Sequence, residues 1–271
     1  MNLHLHPIIR LPQTSVDKGM FSAGNRVLPE EVPVALTYNG STHAVMMASP
    51  ADLEDFALGF SLSEGIIAKP DDLLSMEIVE HDLGCEIRMW LQDVRSKAYR
   101  ARRRAMAGPV GCGLCGIESL AEAVKPASKV HGALHLPPWA IAAAMSDLAR
   151  AQQLNREARA IHAAALWRPE QGLIAIREDV GRHNALDKLA GALARANEFC
   201  SGSLVLLTSR VSVEMVQKAA RMGAPVIVAI SAPTALAVRV ADDCGLTLVA
   251  VAREDSFEVF THPERIQRIG P

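Results

Sequence analysis

The sequence predicts an α/β protein: an α/β core in the C-terminal half, preceded by a smaller strand-and-helix N-terminal domain. Three observations carry this reading. The apolar runs 204–208, 225–230 and 246–252 are short, rich in Val, Ile and Leu, and separated by amphipathic stretches. Runs of that kind spaced by helices mark a parallel sheet covered on both faces. Hydrophobic residues make up 49% of the 271 positions and charged residues 21%, enough apolar surface for a substantial core. Two β-like runs, 33–38 and 42–48, flank Asn39-Gly40, the favoured hairpin dipeptide.

Taken in order, residues 1–29 read as an irregular lead-in. After the first hairpin, Ser49-Pro50 opens a helix whose apolar face is Leu53, Phe56, Ala57, Phe60 and Leu62, ending near Gly65. Residues 76–80 and 85–92 form a second antiparallel pair. Pro126, Pro137 and Pro138 place a boundary before a helix over 139–150, with Pro138 suited to a first helical turn. Residues 163–167 and 173–177 read as a strand pair. Helices over 184–195, 212–222 and 233–244 alternate with the three buried strands, and Gly223 and Gly245 end two of them. The expected domains are 1–29, 30–137 and 138–271.

Bulk properties exclude several classes. A net charge of −2 is not that of a general nucleic-acid binder. No run approaches the ~18 apolar residues of a membrane span. Residues 1–13 lack the charged and apolar regions of a leader. Five cysteines without scaffold spacing point to reduced thiols and a cytoplasmic location.

Two of those cysteines lie among glycines, in Gly108-Pro-Val-Gly-Cys112-Gly-Leu-Cys115-Gly116, after a cluster of Arg100, Arg102, Arg103 and Arg104. Nearby guanidinium charge favours the reactive thiolate, and glycines leave the sulfurs uncrowded. A structural zinc site would need about four ligands, and no second Cys pair or His-x-x-x-His is present. A redox pair of thioredoxin type would follow a strand, whereas this one follows an arginine-rich segment. A mobile Cys-x-x-Cys loop over 100–118, with Cys112 and Cys115 doing sulfur chemistry and no metal, is the expectation.

Ligands of open α/β sheets bind beyond the carboxyl ends of the strands. Four polar loops follow such ends here: Arg177-Glu-Asp179-Val-Gly181-Arg182-His183-Asn184, Thr208-Ser209-Arg210-Val-Ser212, Ser231-Ala-Pro233-Thr234 and Arg253-Glu254-Asp255-Ser256-Phe257. Helix N-termini at Ser212 and Thr234 favour phosphate, and Arg182 and Arg210 can grip it bidentately. Glu178, Asp179, Glu254 or Asp255 could take amino or hydroxyl groups. Each Ser or Thr there is equally well an ordinary helix cap, and His183 equally well a structural histidine. No dinucleotide fingerprint, P-loop or nucleophile elbow is present.

These stretches, with Asp52-Leu-Glu-Asp-Phe-Ala-Leu-Gly-Phe60, Ser63-Glu-Gly-Ile-Ile67 and Lys218-Ala-Ala220, resemble the formate dehydrogenase accessory sulfurtransferase family from about residue 30 to 265. The resemblance implies a cytidine-deaminase-like core without deaminase zinc. It implies a sulfurtransferase that accepts sulfur from a cysteine desulfurase as a cysteine persulfide on Cys112 or Cys115. The acceptor it implies is the bis(molybdopterin guanine dinucleotide) molybdenum cofactor of formate dehydrogenase, bound as substrate. The guanine nucleotide would lie against Asp179, Gly181, Arg182, His183, Asn184, Ser209, Arg210, Ser231, Pro233, Thr234 and the 251–257 segment: Val251, Ala252, Arg253, Glu254, Asp255, Ser256 and Phe257. A non-enzymatic cofactor-binding chaperone of formate dehydrogenase is the alternative. A homodimer is expected because two-fold pairs are the commonest assembly.

Overall fold

The chain opens on a hairpin. In the computed structural model, which describes residues 6–93, 95, 126–132, 134–253 and 256–267, β1 (Ile8–Asp17) and β2 (Met20–Pro29) pair antiparallel along their whole length. Residues 8–29 are therefore strands, not the expected irregular lead-in. Lys18 (φ 48°) and Gly19 (φ 85°) make the same turn as Asn39 (φ 49°) and Gly40 (φ 75°). Both central residues have positive φ, as a two-residue hairpin turn requires, but Lys-Gly is a poorer signal than Asn-Gly. The ribbon also lacks a clean apolar alternation, and Pro12 breaks its strand character.

A four-stranded sheet follows, built of β3 (Val32–Tyr38), β4 (Ser41–Ala48), β5 (Leu73–His81) and β6 (Gly84–Leu91) in the order β4-β3-β6-β5. The Asn-Gly hairpin and the second antiparallel pair form as predicted. Helix α1 (Leu53–Ser63) covers one face, burying Phe56, Ala57 and Phe60 against Val34, Leu36, Ile87 and Met89.

The second half contributes α2 (Pro138–Ala151), α3 (Gln153–Ala158), β7 (His162–Arg168), β8 (Gly172–Asp179), α4 (Arg182–Arg195), β9 (Leu204–Leu207), α5 (Val213–Arg221), β10 (Val226–Ala229), α6 (Ala235–Cys244), β11 (Thr247–Ala250) and β12 (Glu258–Val259). Its six-stranded sheet runs β12-β11-β10-β9-β7-β8. The three buried strands β9, β10 and β11 are parallel, as expected. The sheet as a whole is mixed. A short connection joins β7 to β8, so that pair is antiparallel, as are β7–β9 and β11–β12. Helices cover both faces: α4, α5 and α6 bury Leu186, Leu189, Met215 and Ala241 on one, and α2 buries Ile141 and Leu148 on the other. Val130 and Leu136 join these two cores, so the described residues just before 137 pack with the second half although the prolines put the boundary at 137.

The two sheets are locked together by α1 against α4. The helices approach so closely that a Cβ on Gly59 would lie 1.7 Å from the Asp187 carbonyl oxygen, and one on Gly191 would lie 1.9 Å from that of Asp55. Only glycine fits at either position. Among the described residues, no helix is long and apolar enough to cross a membrane.

Candidate functional site at the carboxyl edge of the large sheet

β8 runs antiparallel to β7, and β7 antiparallel to β9, so β8 points the same way as β9, β10 and β11. All four predicted polar loops therefore leave one edge of the sheet. They are tied to one another there. The Thr234 amide donates to the Val211 carbonyl at 3.0 Å, and the Val251 amide to the Ser231 carbonyl at 3.5 Å. The Arg253 Nη1 donates to the Ile230 carbonyl at 2.6 Å. Val251 itself has φ 51°, a left-handed conformation that a β-branched residue rarely adopts. Such strain, about 1–3 kcal/mol, persists where surrounding structure over-determines it, and functional sites are where it concentrates.

The 178–188 segment divides into two kinds of residue. Glu178 accepts the amides of Leu154 and Asn155, both at 2.9 Å, and so caps the first turn of α3. Asp179 and Lys188 are fully buried and form an ion pair at 2.6 Å. The Asp179 carboxylate also accepts the Ser49 amide (3.0 Å), the Gly181 amide (2.7 Å) and the Asn184 Nδ2 (3.0 Å). Asn184 donates to the Met47 carbonyl (2.8 Å) and Lys188 to that of Ser49 (3.0 Å), which ties the end of β4 to the start of α4. Asp187 accepts Lys218 at 2.7 Å and the Ser63 hydroxyl at 2.7 Å, joining α1, α4 and α5. Asp179 and Asn184, expected to touch ligand, are thus below the surface and bonded to the chain. Ala252 is buried as well.

Gly181, Arg182 and His183 stay at the edge. Gly181 precedes α4 and supplies no side-chain cap, so the first amides of that helix are not capped. The hydroxyl of Ser212, before α5, donates to Glu214 Oε2 at 2.9 Å instead of capping its helix. Only at α6 does the predicted cap form: Thr234 Oγ1 accepts the Ala237 amide at 3.2 Å. Two helix starts without side-chain caps lie at this edge, with the Asp179 carboxylate on the Gly181 amide before α4 and the Glu214 carboxylate in the first turn of α5, and α4 opens on Arg182. Its Nε is buried without a hydrogen-bond partner. His183 Nε2 lies 3.2 Å from Glu214 Oε2. Burial, then the Arg182 guanidinium, hold the His183 imidazole below its usual pKa, against the opposing pull of Glu214. The same two causes act on His162, which pairs with Asp179 across β7–β8.

Of the remaining predicted residues, Arg210 is exposed and Ser231 and Pro233 are half-buried at this edge. Ser209 is buried, its hydroxyl donating to the Arg210 carbonyl at 3.0 Å. The Arg253 amide donates to the Ser256 carbonyl at 2.7 Å, and Phe257 packs against the α2-side core. Cys112, Cys115, Glu254 and Asp255 lie outside the described residues, as do the arginine cluster and the rest of 100–118. Neither His162 nor Glu214 is among the site residues expected from the sequence. The signal for both was position, one at the start of a strand that begins at this edge and one in the first turn of α5.

The three other cysteines are free and buried: Cys85, Cys200 and Cys244. Burial pushes each thiol up, Cys200 to about 12, so none is a ready thiolate. Among the described residues, no group of three or more His, Cys, Asp or Glu could hold a metal ion. The described flanks of the cysteine stretch lie toward the opposite edge. The Val130 amide donates to the Cys244 carbonyl at 2.8 Å, just ahead of β11. Arg95 pairs with Asp72 at 2.9 Å.

These features define a mixed α/β protein with a polar loop cluster at one strand edge and, among the described residues, only buried thiols. The chain belongs to the FdhD/NarQ family, which matches residues 29–267. It is 55% identical over 260 residues to the sulfur carrier protein FdhD of Agrobacterium fabrum, covering 95% of each chain. To the protein of that name from Brucella abortus it is 51% identical over 247 residues, 91% of this chain and 92% of the other. A crystal structure designated a formate dehydrogenase accessory protein, from Desulfotalea psychrophila, superposes with a TM-score of 0.73 at 26% identity, covering 96% of this chain and 99% of that one.

Proposed function

We propose that this protein is a sulfur carrier serving formate dehydrogenase. The observation that carries the reading is kinship along nearly the whole chain with proteins named sulfur carrier protein FdhD. In mechanism it is a sulfurtransferase. Cys112, as thiolate, attacks the outer sulfur of a cysteine desulfurase persulfide, releasing the donor's thiolate and becoming Cys112-S-SH. Cys115 resolves or shares the persulfide. The terminal sulfur then goes to the bis(molybdopterin guanine dinucleotide) molybdenum cofactor, which is cargo and not a resident group: the Cys115 thiolate attacks the inner sulfur, releasing the outer one as sulfide and leaving a Cys112–Cys115 disulfide. The burial of Cys85, Cys200 and Cys244 supports the assignment by leaving the Cys-x-x-Cys pair as the reactive thiols.

The guanine nucleotide portion of the cofactor sits at the carboxyl edge, its phosphates at Arg182 and the starts of α4 and α5. Two uncapped helix N-termini beside a guanidinium with an unpartnered Nε support that placement. Reading this half as a cytidine-deaminase-like core, the location as cytoplasmic and the assembly as a homodimer belongs to the same proposal. Incubation with a cysteine desulfurase and cysteine, followed by mass spectrometry, tests it. A gain of one sulfur atom on Cys112 or Cys115 is expected. Its absence from both, or full activation of formate dehydrogenase by the Cys112→Ala/Cys115→Ala double variant, favours the chaperone alternative.

A further inference from the structure

A cavity of about 560 Å³ lies at the carboxyl ends of α1, α4 and α5, away from the four-loop edge. Its volume falls within the ~300–1,000 Å³ of small-molecule sites. Leu62, Ile67, Ala190, Leu193, Ala194 and Met222 give it an apolar wall, and Lys69, Arg95 and Arg221 stand around it. Nothing in the sulfur-carrier reading uses it.

Most of the charge there is already neutralised. Lys218, also in the lining, is held by Asp187 and Ser63. Arg95 is paired with Asp72, Lys69 with Asp71 at 3.7 Å, and Glu198 with Arg168 at 3.2 Å. Arg221 differs. Its Nη1 donates to the carbonyls of Leu62 (3.3 Å) and Ser63 (2.6 Å), the open end of α1. No carboxylate among the described residues pairs with it. The chain also makes room for its head: a Cβ on Gly65, which has φ 68°, would lie 2.7 Å from Nη1. A guanidinium oriented by backbone carbonyls, seated over a glycine and beside an apolar wall, is fitted to one planar anionic head group.

We propose that this cavity is a second ligand site, for an organic monoanion with an apolar body. Its carboxylate or sulfonate head pairs with Arg221, and its body lies along Leu193, Ala194 and Met222. It is separate from the nucleotide edge, and the two ligands bind without competing.

The test uses the full chain with two fluorescent probes of one scaffold. 8-Anilinonaphthalene-1-sulfonate carries the anionic head and N-phenyl-1-naphthylamine does not. One saturable site per chain is expected, with the sulfonate bound about tenfold more tightly, the value of one charge-assisted fork. Arg221→Gln should erase that preference, and Ala194→Trp should remove both probes by filling the cavity, each with an unchanged circular dichroism spectrum. Guanosine diphosphate should displace neither probe. Equal affinities for the two probes in the unmodified chain, or displacement by the nucleotide, overturn the proposal. Hydrogen exchange on the unmodified chain decides independently of variants: protection by the sulfonate should fall on 62–70, 193–200 and 218–222. Protection at 209–212 and 231–234 instead overturns it.

Discussion

Neighbouring residues of one eleven-residue stretch, 178–188, do opposite jobs. Asp179, Asn184 and Lys188 are buried and bond β4, β8 and α4 into a frame. Gly181, Arg182 and His183 sit between them at the open edge, and Arg182 has a buried donor left without a partner. The frame is satisfied and the edge is not. Buried polar groups are almost always paired, so the unpaired Arg182 donor sets the edge apart from the frame. A string that reads as one motif is therefore mostly scaffold, with three edge residues set into it.

The largest effect should come from the frame. Lys188→Met leaves the Asp179 carboxylate buried without its counter-charge, which costs about 3–5 kcal/mol. Urea unfolding should show a correspondingly lower midpoint at unchanged slope. Replacing both charges by apolar residues should recover much of that loss. A Lys188→Met cost under about 1 kcal/mol would place Asp179 in contact with water and dissolve the contrast with Arg182.

Next is the helix crossing that carries the frame to α1. Gly191→Ala puts a methyl against the Asp55 carbonyl, where neither backbone can yield, and overpacking of this kind costs about 1–3 kcal/mol. Because Asp55 also accepts Arg177 Nη2 at 2.7 Å and Arg195 Nη1 at 3.0 Å, moving α1 disturbs those pairs too. A thermal midpoint unchanged in Gly191→Ala would mean that the helices slide apart freely.

How much of this was legible in the sequence follows the same division. The parallel strands and their helices were legible because Val, Ile and Leu runs alternate with helical periods. The edge was legible because polar loops follow those strands. The hairpin of β1 and β2 was not, since Lys18-Gly19 adopts the turn that Asn39-Gly40 announces openly. Phe21 is 77% exposed on that ribbon, so no burial pattern marked the strand. The frame was equally hidden. Nothing in the spacing of Asp179, Asn184 and Lys188 says that they meet Ser49 and Met47, 130 or more positions earlier. Long-range pairing is set by packing of α1 on α4, and that rests on glycines whose reason appears only in three dimensions.

At the edge, Arg182→Gln should spare the fold and weaken the ligand. Loss of one charge-assisted fork lowers guanosine diphosphate affinity about tenfold or more, while the unfolding free energy moves by under about 0.5 kcal/mol. Calorimetry on the variant measures both sides of the contrast. Unchanged nucleotide affinity would remove Arg182 from the site.

The smallest effect is the pH response of the two imidazoles beside Arg182. Burial first, and the guanidinium second, lower the pKa values of His162 and His183 in the folded chain. The folded state thus binds fewer protons than the unfolded one. The stability it gains is present above the ordinary histidine value of about 6.5 and is lost as pH falls below it toward the depressed values. Urea midpoints from pH 7.5 down to 5 should decline, and the slope should flatten in His162→Gln and His183→Gln. Staying above pH 5 keeps the carboxylates of Asp72 and Glu86, whose pKa values are lowered, out of the window, and Asp187, whose carboxyl burial pushes up, is common to parent and variants and drops out of the comparison of slopes. Arg182→Gln should flatten the slope in part, by removing one cause and leaving burial. A slope identical in Arg182→Gln and the parent would mean that the guanidinium points away from both imidazoles, and that the edge is not the single electrostatic unit its geometry describes.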